Sequence, residues 1–226
     1  MKRLVLALPV VLLALSLDRV LPEKGVQPAP ERAVSLEAAV AELPGLNNGR
    51  FGRAGDALNL VFVGSAESVR ASLAGAGWTE VPGTIRASAG AGLVELLTGR
   101  TVASAPPMNE YWLDGRRQDM NWAIPIKFLS ARHHFRLWDT GMRDPLGRAI
   151  WWGSGDRDLS IRWHDLSHVP DPDMNVERDF IAASLKSSPR LERVSLAPVP
   201  RIPREGANDK GYPFFTDGRA ALIELR

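Results

Sequence analysis

The run Arg132-His133-His134-Phe135-Arg136-Leu137-Trp138 alternates two chemistries with a period of two residues. Successive side chains of a strand point to opposite faces. His133, Phe135 and Leu137 therefore share one face, and Arg132, His134, Arg136 and Trp138 share the other. The first set is a core face, on which His133 reads as a buried, hydrogen-bonded histidine. The second is cationic and aromatic. Two arginines and a histidine on one face repel each other unless something negative sits among them. That face either holds an anion or is the solvated side of an edge strand.

Working outward, a loop rich in Asp, Gly and Pro follows, and Arg148 to Gly153 reads as the second strand of a hairpin. Asp158 to Trp163 is a further short strand. Upstream, Tyr111-Trp112-Leu113 runs into Asp114-Gly115, a two-residue hairpin signal, and Arg116 to Ile126 is the returning strand. Six of the seven tryptophans lie between Trp112 and Trp163, so the centre of the chain is β-rich.

Helices flank this centre. Ala57 to Val63 is an apolar strand, after which Ser65 N-caps a helix through about Ala76 and Gly77 stops it. A second helix covers Ala87 to Leu97, with Gly99 behind it. Downstream, Asp171 as N-cap and Pro172 in the first helical position start a helix through about Lys186. Leu191 to Val199 is a strand. Tyr212 to Phe215, the turn Thr216 to Arg219, and Ala220 to Leu225 make a last hairpin. No internal repeat is visible. The predicted fold is a single α/β (α+β-like) domain with a mixed, largely antiparallel central sheet, hairpins and flanking helices.

The chain has 226 residues and 45% apolar content, enough for a real core. Its formal net charge is only +2, and the five lysines stand against 23 arginines. No Lys/Arg run of the nucleic-acid type is present, which argues against such a partner. The absence of cysteine excludes disulfides, thiolate metal sites, iron–sulfur clusters and a lipoprotein cysteine.

Lys2-Arg3 forms a short positive region before Leu4 to Leu17, fourteen residues interrupted only by Pro9 and Ser16. That is the length of a signal peptide and short for a spanning helix of about 20 residues. Residues 1–21 are expected to be a signal peptide or a short N-terminal membrane anchor. Their partner is then the membrane, and the rest is held at the inner membrane facing the periplasm, or freed into the periplasm by cleavage. Residues 22–55 read as a Pro/Gly-rich tether with one short helix from about Glu31 to Leu43. The folded domain is expected over 56–226.

All four histidines, His133, His134, His164 and His168, fall in one fifth of the chain, among aspartates and arginines. Histidine titrates near neutrality and is the commonest metal ligand. Asp156, Asp158, Asp165, Asp171 and Asp173 lie in the same stretch. Three readings stay open: structural Arg–Asp ion pairs; a divalent metal held by His and Asp; or a metal-free phosphate or phosphoester site, with arginines clamping the anion and a histidine in acid–base or nucleophilic work. No cofactor is firmly implied. Glu177 and Asp179 suit the start of a helix. Arg178 does not, and so should reach a specific carboxylate or anion.

Arg116-Arg117-Gln118-Asp119, Arg132 to Trp138, Asp158 and His168 through Asp179 resemble the LssY C-terminal-like domain family. So do Asn59 to Ser65 and Ala76-Gly77-Trp78. The resemblance runs from about residue 56 to the C-terminus. It implies a bacterial envelope-associated domain, often fused to polytopic membrane modules similar to DedA or lipid-phosphatase proteins. The family name comes from a type I secretion locus, and no established activity comes with it. This chain departs from the family block at Val169, where a second histidine is expected, and at Asn175, where a third aspartate is.

Two functional classes follow. One is a hydrolase of a phosphorylated or lipid-linked envelope substrate. In it His134, His168, Asp158 and Asp171 do the acid–base or ligand work, and Arg132, Arg136 and Arg178 hold anionic charge. The other is a non-catalytic accessory or binding domain of an envelope or secretion system, with a structural His/Arg/Asp network.

Overall fold

The computed structural model describes residues 31–99, 103–104, 108–128, 130–162 and 167–226. At its centre a long hairpin joins two strands through a turn tied by one side chain. Asp144 Oδ1 accepts from the backbone N–H groups of Leu146 and Arg148, and Asp144 Oδ2 accepts from Arg148 Nε. Gly147 takes the positive φ of 77° that the turn demands.

Among the described residues the main sheet has nine strands: β1 (Arg32–Ala33), β2 (Leu60–Val63), β3 (Thr79–Val81), β4 (Met120–Lys127), β5 (Ala131–Arg143), β6 (Ala149–Arg162), β7 (Ser167–Pro170), β8 (Leu191–Pro198) and β9 (Arg219–Leu225). The helices are α1 (Leu36–Glu42), α2 (Ala66–Gly75), α3 (Ile85–Leu97) and α4 (Met174–Ser184). The sheet order is β8-β9-β2-β6-β5-β4-β3, with β1 added to β5 and β7 to β6. The β9–β2 and β1–β5 pairs are parallel and the others antiparallel. The predicted mixed, largely antiparallel α+β domain is what forms.

Helices cover both faces. On one, α2 (Val69, Leu73) and α4 (Ile181, Ala182) pack with Phe62, Phe135, Leu137 and Trp122. On the other, α1 (Ala39, Val40) and its C-cap Leu43 pack with Val61, Val63, Trp138 and Trp152. The approach of α4 to the sheet depends on Gly155 of β6. A Cβ there would stand 2.5 Å from Ile181 Cδ1.

Several boundaries differ from the sequence reading. Arg148–Gly153 and the strand from Asp158 are parts of one strand, β6, described through Arg162. The segment Arg116–Ile126 splits. Arg116–Arg117 pairs with Trp112–Leu113 in a small sheet, around Asp114 (φ 49°) and Gly115 (φ 75°), and β4 begins at Met120. The last hairpin does not form. Pro213–Phe215 pairs with Glu205–Ala207, while β9 enters the main sheet between β8 and β2. The turn at Gly218 (φ 69°) is real, but its two arms serve different sheets. The N-cap of α4 is Asp173, two residues later than expected, because the Pro172 carbonyl accepts from Phe215 N and so stays outside the helix.

The Pro/Gly-rich segment is not a tether over its described part. β1 pairs with the end of β5, Leu43 is fully buried, and Leu58 N donates to Gly45 O. Burial of Ala39, Val40 and Leu43 outweighs the breaking tendency of the surrounding prolines. The expected signal peptide or anchor over 1–21 lies outside the described residues. Among the described residues no helix is long and apolar enough to cross a membrane.

His133 lies on the core face, as its strand phase predicts. Its ring stacks on Phe180 at 3.6 Å, and its Nδ1 is 2.6 Å from Glu177 Oε2. Glu177 is almost wholly buried and its Oε1 has no hydrogen-bond partner. Burial raises this carboxyl from 4.5 to about 7, against the opposing pull of His133. The fold therefore holds its proton longer than the unfolded chain does. The resulting stability is fully present below about pH 4.5 and is lost as the pH rises through about 7. Glu177→Gln should gain stability relative to the parent across that window, by up to about 3 kcal/mol. Urea midpoints of both proteins at pH 5 and pH 8 measure it; an equal difference at the two pH values would refute a buried acid here.

Candidate functional site

The opposite face of β5 is neither solvated nor at an edge. β5 lies between β4 and β6, and Arg132, His134 and Arg136 are 6, 4 and 2% exposed. The β5–β6 register places Asp158 opposite Arg132, Asp156 opposite His134, and Ser154 opposite Arg136. The small Ala123 and the ring of Pro125 stand across from His134 and Arg132 on β4. The negative partners that the alternating charges require come from the neighbouring strand.

Asp158 is the hub. Its Oδ2 accepts from Arg132 Nε at 2.9 Å, and the same oxygen lies 3.6 Å from His134 Nδ1 and 3.9 Å from His168 Nδ1. His168 arrives on β7, which pairs back onto β6 with His168 opposite Ile161 and Pro170 opposite Asp158. Beside this hub, Asp156 is buried with Oδ1 unpartnered, and His134 Nδ1 has no hydrogen bond. His134, Asp156 and Asp158 each offer one ligand atom within 4.8 Å of the others.

Arg136 extends the group. Its Nε donates to Asn109 O at 3.2 Å, its guanidinium lies 4.5 Å from the Tyr111 ring centroid, and its Nη1 has no hydrogen-bond partner. Asp56 Oδ2 is 3.9 Å from that Nη1, and Asp56 Oδ1 accepts from Asn208 Nδ2. Tyr111 in turn donates its hydroxyl to Asp209.

Burial sets the protonation states. It lowers the His134 imidazole well below its usual value, with Arg132, Arg136 and His168 adding and Asp158 opposing. It raises Asp156 well above the carboxylate range, helped by Asp56, Asp158 and Glu177. Burial also works against an ionised Asp158, yet His134, His168 and Arg132 overcome it and hold that group at about 2. At neutral pH the cluster contains two guanidinium charges, one firmly ionised carboxylate and a neutral imidazole, beside an Asp156 carboxyl that burial and its acidic neighbours make harder to ionise. Such a group favours an anion at the arginines, with the neutral His134 imidazole beside them.

Of the residues singled out by sequence, His134, His168, Asp158 and Arg132 meet on one carboxylate, and Arg136 continues along the same strand face. Asp171 and Arg178 lie elsewhere. Asp171 pairs with Arg157 and accepts from Asp173 N at the entry to α4. Arg178 finds the carboxylate expected of it in Asp217, 2.5 Å away, and also reaches Asp179, Asn175 and the Arg219 carbonyl. Asn175 accepts from Arg178 and from Asp217 N, so it braces this junction. His164 and Asp165 fall outside the described residues. Sequence reasoning named Asp156 among the candidate acidic partners but left it out of the site, although it shares strand phase with Asp158. It also missed Asp56 and Tyr111, which only long-range pairing brings near.

The fold and the cluster together define an α+β domain with a polar site built into the face of its central sheet. The family described as the LssY C-terminus matches residues 40–220, and the chain belongs to that family. The match opens inside α1, in keeping with a domain that begins before residue 56. No curated protein and no solved structure matches the chain.

The two classes of carboxylate should separate by mutation. Asp158→Asn leaves Arg132 buried without a full counter-charge and should cost about 3–5 kcal/mol. Asp171→Asn faces the more exposed Arg157 and should cost about 1 kcal/mol or less. Urea denaturation of both variants tests the ordering; equal costs would remove Asp158 from its place as hub.

Proposed function

We propose that this LssY C-terminus domain is an envelope-associated hydrolase of a phosphorylated or lipid-linked substrate, with its site on the Arg132/His134/Asp158/His168 face. The observation that carries the reading is the meeting of two imidazoles and one guanidinium on a single Asp158 oxygen. Next to it stands Arg136, a buried arginine whose Nη1 makes no hydrogen bond and has Asp56 Oδ2 at 3.9 Å. Arg132 and Arg136 supply positive charge for an anionic group, as hydrolysis of a phosphoester requires. His168, only partly buried, takes the proton of the attacking water. As the water oxygen bonds to phosphorus and the ester P–O bond breaks, the same imidazole returns that proton to the leaving oxygen. Asp158 keeps His168 oriented and stabilises its charged form. The envelope location is supported by Lys2-Arg3 and the apolar run Leu4 to Leu17.

One observation favours a second reading, a non-catalytic accessory or binding domain of an envelope or secretion system. Arg178 and Asp171 are engaged in ion pairs that brace α4, as members of a structural network would be. An assay decides between the two. The full chain is tested against phosphomonoester, phosphodiester and carboxylester panels beside His168→Ala and His134→Ala. The hydrolase reading expects turnover of a phosphoester, falling about 100-fold or more in His168→Ala. A folded parent that turns over none of the substrates supports the binding domain instead.

A further inference from the structure

We infer that His134, Asp156 and Asp158 form a binding site for one divalent first-row transition ion of the zinc, manganese or iron class. The site stands on geometry and holds whether or not the domain is a hydrolase. Two adjacent antiparallel strands build it. His134 on β5 and Asp156 on β6 are directly opposed, and Asp158 lies two residues further along the same face of β6. One donor atom from each lies within 4.8 Å of the other two. That is close enough for one ion to bind all three, with small side-chain movements bringing each donor to about 2.0–2.2 Å.

The second observation is independent of that spacing. His134 Nδ1 and Asp156 Oδ1 are buried polar atoms without a hydrogen-bond partner, and their side chains lie more than nine-tenths buried. Buried polar atoms are nearly always satisfied, and two orphans on directly opposed residues of one cluster are accounted for by a bound ion. An anion does not fit against two carboxyl groups. One imidazole and two carboxylates make the donor set that borderline divalent metals prefer over calcium or copper(I). Arg132 Nε, bonded to Asp158 Oδ2, fixes one ligand from outside, the role that hydrogen-bonding neighbours play around metal centres. A bound ion would add a Lewis acid beside Arg132 and Arg136.

The full chain is purified, stripped with EDTA, dialysed against excess Zn2+ or Mn2+, freed of unbound ion and analysed by plasma mass spectrometry. About one ion per chain is expected. The melting temperature should rise by about 5–10 °C at a hundredfold excess over Kd. Asp156→Asn, which preserves shape, and His134→Gln should each weaken binding by more than the about 10–100-fold expected of Arg132→Lys. Melting in EDTA reports whether each variant is folded. Co2+ gives a readout that needs no variant, namely visible bands of an ion held by imidazole and carboxylate. Loss of all ion on desalting, a spectrum identical to aqueous Co2+, or unchanged affinity in folded Asp156→Asn would overturn the site. Stoichiometric metal without hydrolysis keeps it and removes the hydrolase. Hydrolysis by a protein that binds no ion does the reverse.

Discussion

Asp158 faces Arg132, and Asp156 faces His134, because β5 and β6 are locked in one register by the Asp144 turn at one end and by apolar pairs such as Trp138–Trp152 in the middle. A slip of one residue would send Arg132, His134 and Arg136 into the apolar layer beneath α4 and turn Phe135 and Leu137 toward the carboxylates. Both outcomes are costly, so the polar cluster and the hydrophobic core enforce each other. Few parts of the molecule escape this dependence. α4 reaches its place over Gly155 of β6, and β7 carries His168 back along the same strand.

The two faces of β5 show what burial does to similar side chains. His133 and His134 are neighbours in sequence, each with a carboxylate close by. His133 meets Glu177 at hydrogen-bond distance and stacks on Phe180, so its polar demand is met by the core. His134 meets Asp158 at 3.6 Å without a hydrogen bond and has two arginines on its own strand face. Strand phase alone divides a satisfied histidine from an unsatisfied one.

That division was legible in the sequence, since a two-residue period needs no knowledge of partners. So were the Ser65 cap, the Asp114-Gly115 turn and the central hairpin, all local signals. What local signals could not supply was pairing. Asp56 and Tyr111 join the site through contacts with residues far along the chain, and the destination of Arg219–Leu225 depends on an open edge at β2. The tether reading failed for a related reason. Proline and glycine report backbone preference, whereas Ala39, Val40 and Leu43 are held by a hydrophobic layer that forms only in the finished fold. Arg178 shows the reverse case. Its misfit with the helix dipole correctly signalled a carboxylate partner, but that partner, Asp217, serves the α4 junction and not the cluster.

The parallel pair between β9 and β2 has a consequence in time. Leu60 waits for Ala221, and Val61 for Leu222, before β2 gains its second neighbour and the β9–β8 side of the sheet can join. Until then the apolar edge of β2 faces β9's empty place, and the early half of the chain has no complete core to fall into. Contacts so distant in sequence form late and slowly. In a chain emerging N-terminus first from a ribosome, this side of β2 therefore stays unpaired until nearly all of the domain has appeared.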